Sequence, residues 1–395
     1  MTADAPSPAS AEPLRARSES DGPGGFARLF YGVGLAIMFG AIAYIGRGVL
    51  VPLVLAGFLA ILITALKNAI VGAPVLGKLA PGWLAYLVAF AVIVAGLFGF
   101  VMLIASNIDA IVGEWPNYLR RLEAVFADGV ARYEALTGTP IAALRDEAGE
   151  LITLTQILNN FGSWLPSLSR PLFGLLEPVR RLAGALLPVI LYTAFMLLEG
   201  NVTVRKIALA ASDDEQREVV RQIVSDIGAM VREYVSIKTL TSAMTGFGGY
   251  IVMTALGVDF AGFWALMLFA LNYIPIIGSI IATAFPVILA LVQPDGTLLK
   301  FVLTAVFLSG VQQTVGSVIE PRLLGRSLNL SPLVILLSLS VWGALWGVAG
   351  MLLCVPIMVA LMIALSRFPS THAVAVLMSA NGEVAGKRAG VVQTA

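Results

Sequence analysis

Residues 260–292 read FAGFWALMLFALNYIPIIGSIIATAFPVILALV, an apolar stretch that is too long for one membrane crossing. As a straight helix it would reach roughly 50 Å, whereas the hydrocarbon core of a bilayer is roughly 30 Å thick. Its centre is broken at LNYIPIIG, where Pro275 removes a backbone donor and Asn272 adds an amide. Freed backbone groups cannot face lipid, so the break must be buried in protein or line water. The pattern predicts a re-entrant helical hairpin.

Residues 333–365 form a second apolar stretch of similar length, which is interrupted at VWGALWGVAG. Gly343, Gly347 and Gly350 loosen the helix there, and two tryptophans lie beside them. We therefore predict a second re-entrant hairpin. Because broken helices commonly form the binding sites of transporters, the two stretches together favour a transport protein.

The composition excludes an ordinary soluble domain. Hydrophobic residues make up 58% of the 395-residue chain, charged residues make up 12%, and the mean hydropathy is +0.90. The net charge of +1 gives no indication of nucleic acid binding. The single cysteine and single histidine, Cys354 and His372, leave few options for a metal site or a disulfide. There is no P-loop, no zinc-ligand spacing and no nucleophile beside a base, so we expect no metal, no cofactor and no enzymatic activity.

The lengths of the apolar segments predict an all-α polytopic membrane protein. We expect about seven to eight membrane segments, including the two re-entrant hairpins, plus an amphipathic helical insert. In chain order the parts are a disordered cytoplasmic arm (1–27), three transmembrane helices (28–106), the extracytoplasmic insert (107–181), a fourth transmembrane helix with a cytoplasmic amphipathic helix (182–238), a transport core (239–366) and a cytoplasmic tail (367–395). The insert would act as a lid, as an assembly surface or simply as a helical layer on the membrane.

Within the transport core, a helix followed by a hairpin occurs twice, and we expect the two copies in opposite orientations. The segments FPVILAL (285–291) and VPIMVAL (355–361) place Pro, Ala and Leu at matching offsets. Inverted repeats of this kind recur in secondary transporters. The pattern indicates an inverted repeat, although short matches also arise between unrelated apolar helices.

Polar side chains are costly in a bilayer, and several lie on the helix before the second hairpin. Gln313, Ser317 and Glu320 are spaced i, i+4 and i+7, with Gln312 beside them. On a regular α-helix this spacing puts one polar stripe on one face, which suits either a cavity wall or hydrogen bonding between helices. Glu320 has a further alternative, an ion pair with the nearby arginines at positions 322 and 326.

A second polar face lies on the helix before the first hairpin, where Thr241 and Thr245 precede Gly248. These residues would contact substrate or allow neighbouring helices to approach closely. Asn272 differs because it lies at the break of a hairpin. Its amide would either satisfy loose backbone groups or bind a ligand.

Four motifs carry a family resemblance: YVSIKTLTSAMTG (234–246), LNYIPIIGS (271–279), QQTVGSVIEPRLLGRSLNLSP (312–332) and WGALWGVAGMLLCVPI (342–357). In this order they resemble the autoinducer-2 exporter-type (AI-2E) transporter family, the PerM-like permeases. The resemblance covers roughly residues 30–366. It implies a bacterial inner-membrane permease that forms an oligomer, in the pentameric form expected of the family. It also implies export of the signalling molecule autoinducer-2 or, for some members, exchange of sodium or lithium for protons.

The resemblance also points to individual residues. In the first hairpin they are Asn272, Tyr273, Pro275 and Gly278, and in the motif that follows they are Gln313, Glu320, Pro321 and Gly325. An elevator-like movement of the hairpin-bearing half against a fixed half would suit the two broken stretches.

Three functions remain open from the sequence. The first is export of a small polar organic molecule resembling autoinducer-2, for which Asn272, Gln312 and Gln313 would supply hydrogen-bond partners. The second is Na⁺(Li⁺)/H⁺ antiport, which normally needs a titrating carboxylate in the membrane. The acids near the core are Glu320, Asp259 and Glu199, all at predicted helix ends, and this scarcity ranks antiport below export. The third is a non-transporting oligomeric scaffold. The expected partners are the lipid bilayer, a small polar solute or a monovalent cation, and further copies of the chain, but no nucleic acid.

Overall fold

The computed structural model describes residues 25–72, 81–138, 186–200, 206, 213–325, 329–368 and 370–383. These residues form helices, and no β-strand occurs among them beyond an isolated bridge between Leu330 and Ser379. The helices are α1 (Gly25–Ile45), α2 (Arg47–Gly72), α3 (Gly82–Thr137), α4 (Leu186–Gly200), α5 (Asp214–Ala255), α6 (Ala261–Leu271), α7 (Ile277–Val292), α8 (Leu298–Leu324), α9 (Pro332–Ser366) and α10 (His372–Met378).

Among the described residues, four segments are long and apolar enough to cross a membrane: α2, residues Gly82–Ile104 of α3, α8 and α9, the last of which contains a break at Gly347. Shorter apolar helices are α4, α6, α7 and residues Phe30–Ile45 of α1. The predicted all-helical, multi-pass architecture is confirmed, whereas the count of seven to eight segments stays a prediction. Helix α1 belongs to one compact unit and the helices from α2 onward to another. Most of the predicted arm, most of the insert and the end of the tail lie outside the described residues.

Two helices run through positions where the sequence suggested a change of segment. Helix α3 continues without interruption from the predicted third transmembrane helix into the first part of the insert, and it ends at Gly138, whose φ is 65°. Helix α5 joins the predicted amphipathic helix to the helix predicted at the start of the transport core, before the first hairpin. No proline lies inside α5, so nothing in its backbone chemistry ends the helix at the polarity change.

Helix α5 is the centre of the packing, because it contacts α2, α6, α8 and α9. Small residues allow these contacts. A Cβ atom on Gly249 would overlap the Leu268 side chain of α6 and would lie 3.2 Å from Cδ1 of Leu308 on α8. The glycine therefore lets both neighbours approach the α5 backbone, which is how helices associate where burial in lipid gives no hydrophobic gain.

Helices α6 and α7 form the first hairpin. The ring of Trp264 on α6 stacks on Phe285 of α7 with centroids 5.8 Å apart, so the chain reverses between them. At the tip, the Ile277 amide donates to the Pro275 carbonyl at 2.6 Å, and Ile276 has a φ of 62°. This is a strained γ-turn, and a β-branched residue at positive φ costs on the order of 1–3 kcal/mol. The predicted interruption is present, and its tip stores strain.

Gln293 closes the base of this hairpin. Its fully buried side chain donates to the Gly257 carbonyl at 2.8 Å, and its oxygen accepts from the Asp259 amide at 3.0 Å. The residue after α7 is thus tied to the loop before α6. The sequence analysis did not single out this glutamine.

Replacing Gln293 with leucine is expected to lower the free energy of unfolding by about 1–2 kcal/mol, because the Asp259 amide loses its acceptor. A titration with SDS, followed by loss of helical circular dichroism, measures the change. Gln222→Leu is the matched control, since Gln222 lies exposed on α5 and, among the described residues, bonds only to the exposed Glu218 of its own helix. Equal losses in the two variants would contradict a structural role for Gln293.

The segment α9 consists of two helical arms that meet at Gly347 and form the second hairpin. In a continuous helix, residues eight apart lie about 12 Å from each other. Here a Cβ on Gly350 would overlap the Trp342 carbonyl, and one on Gly343 would lie 2.8 Å from Cε of Met351. The chain reverses at Gly347, which has a φ of 63° and a ψ of −141° that side chains disfavour. The second predicted interruption is therefore present as well.

Candidate functional site

A buried ion pair joins α5 to α8. The Lys238 ammonium lies 2.7 and 2.9 Å from the two carboxylate oxygens of Glu320, and the Thr241 hydroxyl lies 3.3 Å from one of them. The lysine side chain is 9% exposed and the glutamate side chain 16%. The partner of Glu320 is therefore Lys238, distant in sequence, and not the adjacent Arg322, which is exposed. Arg326, the other predicted partner, lies outside the described residues. Burial of both charges makes each dependent on the other.

A π-helical turn, Thr314–Ile319, places Glu320 on the face of α8 that meets α5. The Glu320 amide donates to the Val315 carbonyl, five residues earlier, instead of to the residue four earlier. Pro321 follows immediately, and a proline has no amide to donate and clashes with the carbonyl four residues before it. The π turn contains about one residue more than an α-helical turn. Glu320 is therefore rotated about the helix axis onto the same face as Gln312.

The same rotation divides the polar stripe expected on a regular α-helix. Gln313 and Ser317 lie on the exposed side of α8, where the Ser317 hydroxyl donates to the Gln313 side chain at 2.8 Å. Glu320 and Gln312 lie on the opposite, inward side with α5. Counting residues along the sequence could not reveal this division, because the count assumed 3.6 residues per turn throughout.

A hydrogen-bonded relay connects the tip of the first hairpin to α5 and α8. The Asn272 amide donates to the Ser242 hydroxyl at 3.1 Å, and its carbonyl accepts from the Gln312 amide at 3.2 Å. Asn272 is 5% exposed and Ser242 fully buried. The carbonyl oxygen of the Gln312 side chain is buried and has no hydrogen-bond partner among the described residues. An unpaired buried acceptor is costly and is therefore poised to receive a donor.

Tyr273 fixes the tip from its other side. Its hydroxyl donates to the Thr239 hydroxyl of α5 at 2.7 Å. Its ring meets Phe58 of α2 and Phe269 of α6 edge to face, with centroids 5.8 and 5.7 Å away. Thr245 donates to the Thr241 carbonyl within α5 at 3.0 Å, so it is buried beside the relay but bonded to its own helix.

The predicted hinge positions lie at the places where the backbone departs from a straight helix. Pro275 lies in the tip turn of the first hairpin, and Gly278 opens α7, where a Cβ would overlap the Leu271 carbonyl oxygen. Pro321 follows the π turn, and Gly325 ends α8 with a φ of 55° and a ψ of −125°. The three glycines of α9 surround the second reversal, as described above.

The two hairpin tips meet at one cavity of about 1470 Å³. Tyr273 and Ile274 line it from the first tip, and Trp346 and Gly347 line it from the second. The tips, predicted as separate breaks in the sequence, thus border the same cavity. No group of three or more His, Cys, Asp or Glu side chains that could hold a metal ion occurs in the part of the chain that the structure describes.

Lys238 is the main residue of the site that the sequence analysis missed. A signal was present, because Lys238 is the one charged residue between Glu233 and Asp259, and Glu320 is the one charged residue between Lys300 and Arg322. Lone opposite charges in two apolar helices are expected to pair. The sequence alone did not indicate this pair, because Lys238 and Glu320 are 82 residues apart.

Comparison with known proteins supports a transporter. A 32% identical protein of Haemophilus influenzae, named "Putative transport protein", matches over 89% of this chain and 96% of its own. The "AI-2 transport protein TqsA" of Escherichia coli K12 is 29% identical, covering 88% of this chain and 96% of its own. The "Putative transport protein YhhT" of the same strain is 40% identical over 32% of this chain and 36% of its own.

The match extends to a family model. The AI-2E family transporter model matches residues 33–370, which include α2 to α9 and therefore both hairpins, the ion pair and the relay. A match over this much of the chain, together with apolar helices of membrane-spanning length, settles the broad class. This chain is a multi-pass membrane protein and belongs to the AI-2E transporter family.

Proposed function

We propose that this protein is a secondary-type transporter that exports a small polar organic molecule resembling autoinducer-2. The observation that carries the proposal is the unpaired, buried carbonyl oxygen of Gln312 beside the Asn272 relay. A hydroxyl group of a solute satisfies such an acceptor, and amide and hydroxyl neighbours supply further neutral partners. The name of the Escherichia coli relative, an AI-2 transport protein, supports the same class of solute.

The proposed movement is elevator-like. The hairpins would enter the bacterial inner membrane as re-entrant segments from opposite sides, and both would shift with α5 and α8 against α2 and α3. The support is that each hairpin breaks at a tip, that the tips share one cavity, and that α5 contacts both hairpins. We further propose cytoplasmic termini and a homo-oligomer, in keeping with the family.

Asn272→Leu is expected to lower solute efflux at least tenfold. This factor is roughly the effect of losing one buried polar contact and leaving its partners unpaired. Leucine leaves both the Ser242 hydroxyl and the Gln312 amide without their present partner. The measurement is uptake of labelled autoinducer-2 by energised inverted membrane vesicles. Asn107→Leu is the matched control, because the one hydrogen bond of the Asn107 side chain within the described part of the chain goes to a carbonyl of its own helix, α3.

Size-exclusion chromatography in detergent verifies that both variants remain folded. Uptake that is unchanged in folded Asn272→Leu would overturn the assignment of the relay to the solute. Uptake that is absent even in wild-type vesicles would favour the scaffold function, which needs no solute path.

A second candidate, Na⁺(Li⁺)/H⁺ antiport, is favoured by a different observation. The carboxylate that this chemistry needs is buried in the core and paired with Lys238, and does not lie at a solvent-exposed helix end. A monovalent cation that bound Glu320 would have to displace the lysine ammonium. Sodium-dependent proton flux in the same vesicles tests this function, and a neutral-solute exporter is expected to show none.

A further inference from the structure

We propose that the apolar cavity bordered by both hairpin tips, α2 and α3 binds one acyl chain of a bilayer phospholipid. The cavity volume is about 1470 Å³, above the roughly 300–1,000 Å³ of most small-molecule pockets. The polar solute proposed above would bind elsewhere, since Asn272, Gln312 and Glu320 do not line this space. The proposal therefore stands independently of the transported solute.

The chemistry of the wall identifies the ligand class. Among the described residues that line the cavity none is charged, and their hydrogen-bonding side chains are a few hydroxyl and indole groups: Tyr118, Ser236, Thr239, Trp264, Tyr273 and Trp346. Thr239 and Tyr273 are already bonded to each other. A stable water needs two to four polar partners, which this wall does not provide. A neutral wall of leucine, phenylalanine and valine complements a hydrocarbon chain and gains dispersion contacts from it.

The position of the cavity explains where the hydrocarbon ligand comes from. Its walls include Leu55, Phe58 and Leu62 of α2 and Val92 and Gly96 of α3. Both wall segments belong to helices of membrane-spanning length, so the cavity lies at the depth of the acyl chains of the bilayer. A hydrocarbon chain that enters there exchanges one apolar environment for another and loses no hydration.

The ligand would contact moving and fixed parts at once. One side of the cavity is formed by α2 and α3, and the other by Tyr273 and Trp346 at the two hairpin tips. A bound chain would thus fill the space between the tips and the first helices. It would exclude water from that space. Because a hydrocarbon chain forms no hydrogen bonds with the protein, it would not hinder the proposed shift of the hairpins against α2 and α3.

Two glycines of α3 provide a matched test. Gly96 lines the cavity and Gly99 does not, and a Cβ on either one meets no heavy atom within 4 Å. Gly96→Trp is therefore expected to fill part of the cavity, whereas Gly99→Trp places the same side chain outside it. Full-length protein in phospholipid vesicles would be irradiated with palmitate that carries a diazirine in mid-chain, and labelled residues would be mapped by mass spectrometry.

We expect labelling of the segment around Trp264 and Phe285, with about a tenfold decrease in Gly96→Trp and no decrease in Gly99→Trp. A second arm uses phosphatidylethanolamine with the diazirine in its acyl chain. Labelling by the phospholipid probe that Gly96→Trp abolishes supports the site, whereas labelling by palmitate alone would overturn the assignment of a bilayer lipid as the ligand. Labelling confined to the outer faces of the helices, or equal in both variants, would overturn the proposal. The labelling experiment does not depend on solute transport. A negative transport assay would therefore leave the test of the lipid site unaffected.

Discussion

Lys238→Met is expected to lower the free energy of unfolding by about 3–5 kcal/mol, because it leaves the Glu320 carboxylate buried without its counter-charge. Glu320→Met leaves the ammonium of Lys238 buried in the same way and is expected to cost a similar amount. The double variant removes both charges and keeps comparable apolar volume. It is expected to lie within about 1 kcal/mol of wild type, or above it, since removal of a whole buried pair relieves desolvation.

The SDS titration described for Gln293 measures all three variants. The control pair is Arg132 and Asp128 on α3, whose side chains are 76% and 61% exposed at a separation of 2.9 Å. Arg132→Met is expected to change stability by less than about 0.5 kcal/mol. Additive losses in the Lys238 and Glu320 variants, with no recovery in the double variant, would show that the two charges do not depend on each other.

The double variant also separates the two transport functions, because it is expected to fold. An exporter of a neutral polar solute should retain most of its flux, since the Asn272 relay is intact. An antiporter should lose sodium-dependent proton flux entirely, because the buried carboxylate and its counter-charge are both gone. Loss of both fluxes in a well-folded double variant would show that the ion pair is needed for movement of the hairpins.

Gly278→Ala is expected to destabilise the protein by about 3 kcal/mol and to reduce transport, because the added methyl group overlaps the Leu271 carbonyl oxygen. Relief of the overlap requires the first turn of α7 to move away from the end of α6. The tip cannot absorb this shift easily, since Ile276 is already held at a φ of 62°. Thermal unfolding in detergent and vesicle uptake measure the two effects.

Gly262→Ala in the same hairpin is the control. A Cβ on Gly262 meets nothing within 4 Å, and alanine favours the helix over glycine by up to about 1 kcal/mol. The control is therefore expected to be neutral or slightly stabilising. If Gly278→Ala behaved like Gly262→Ala, the close approach at the hairpin tip would not constrain the fold.

The sequence predicted the breaks in both long apolar stretches because the responsible effects are local. Pro275 lacks an amide, and Gly347 tolerates a positive φ, wherever they occur in a chain. It did not predict that α3 and α5 run on past the change from apolar to amphipathic residues. Hydrophobic periodicity indicates which face of a helix is buried. It does not indicate where the helix ends, because one helix can continue from an apolar environment into a partly aqueous one.

The candidate site shows the same division. The residue types of the relay were visible in the sequence, since amides and hydroxyls in apolar helices are few and costly. Their arrangement was not, because the π turn before Pro321 rotates Glu320 toward α5 and leaves Gln313 outside. That rotation changes a predicted stripe into two separate sets of contacts.

The sequence by itself determined that this chain is helical, lies in a membrane, breaks two of its apolar stretches and belongs among transporters, because composition, helix breakers and motifs act within a few turns of the chain. Only the tertiary structure decided that Lys238 neutralises Glu320 and that the two hairpin tips share one cavity. Both depend on residues far apart in sequence, whose proximity is set by the packing of α5 against its neighbours.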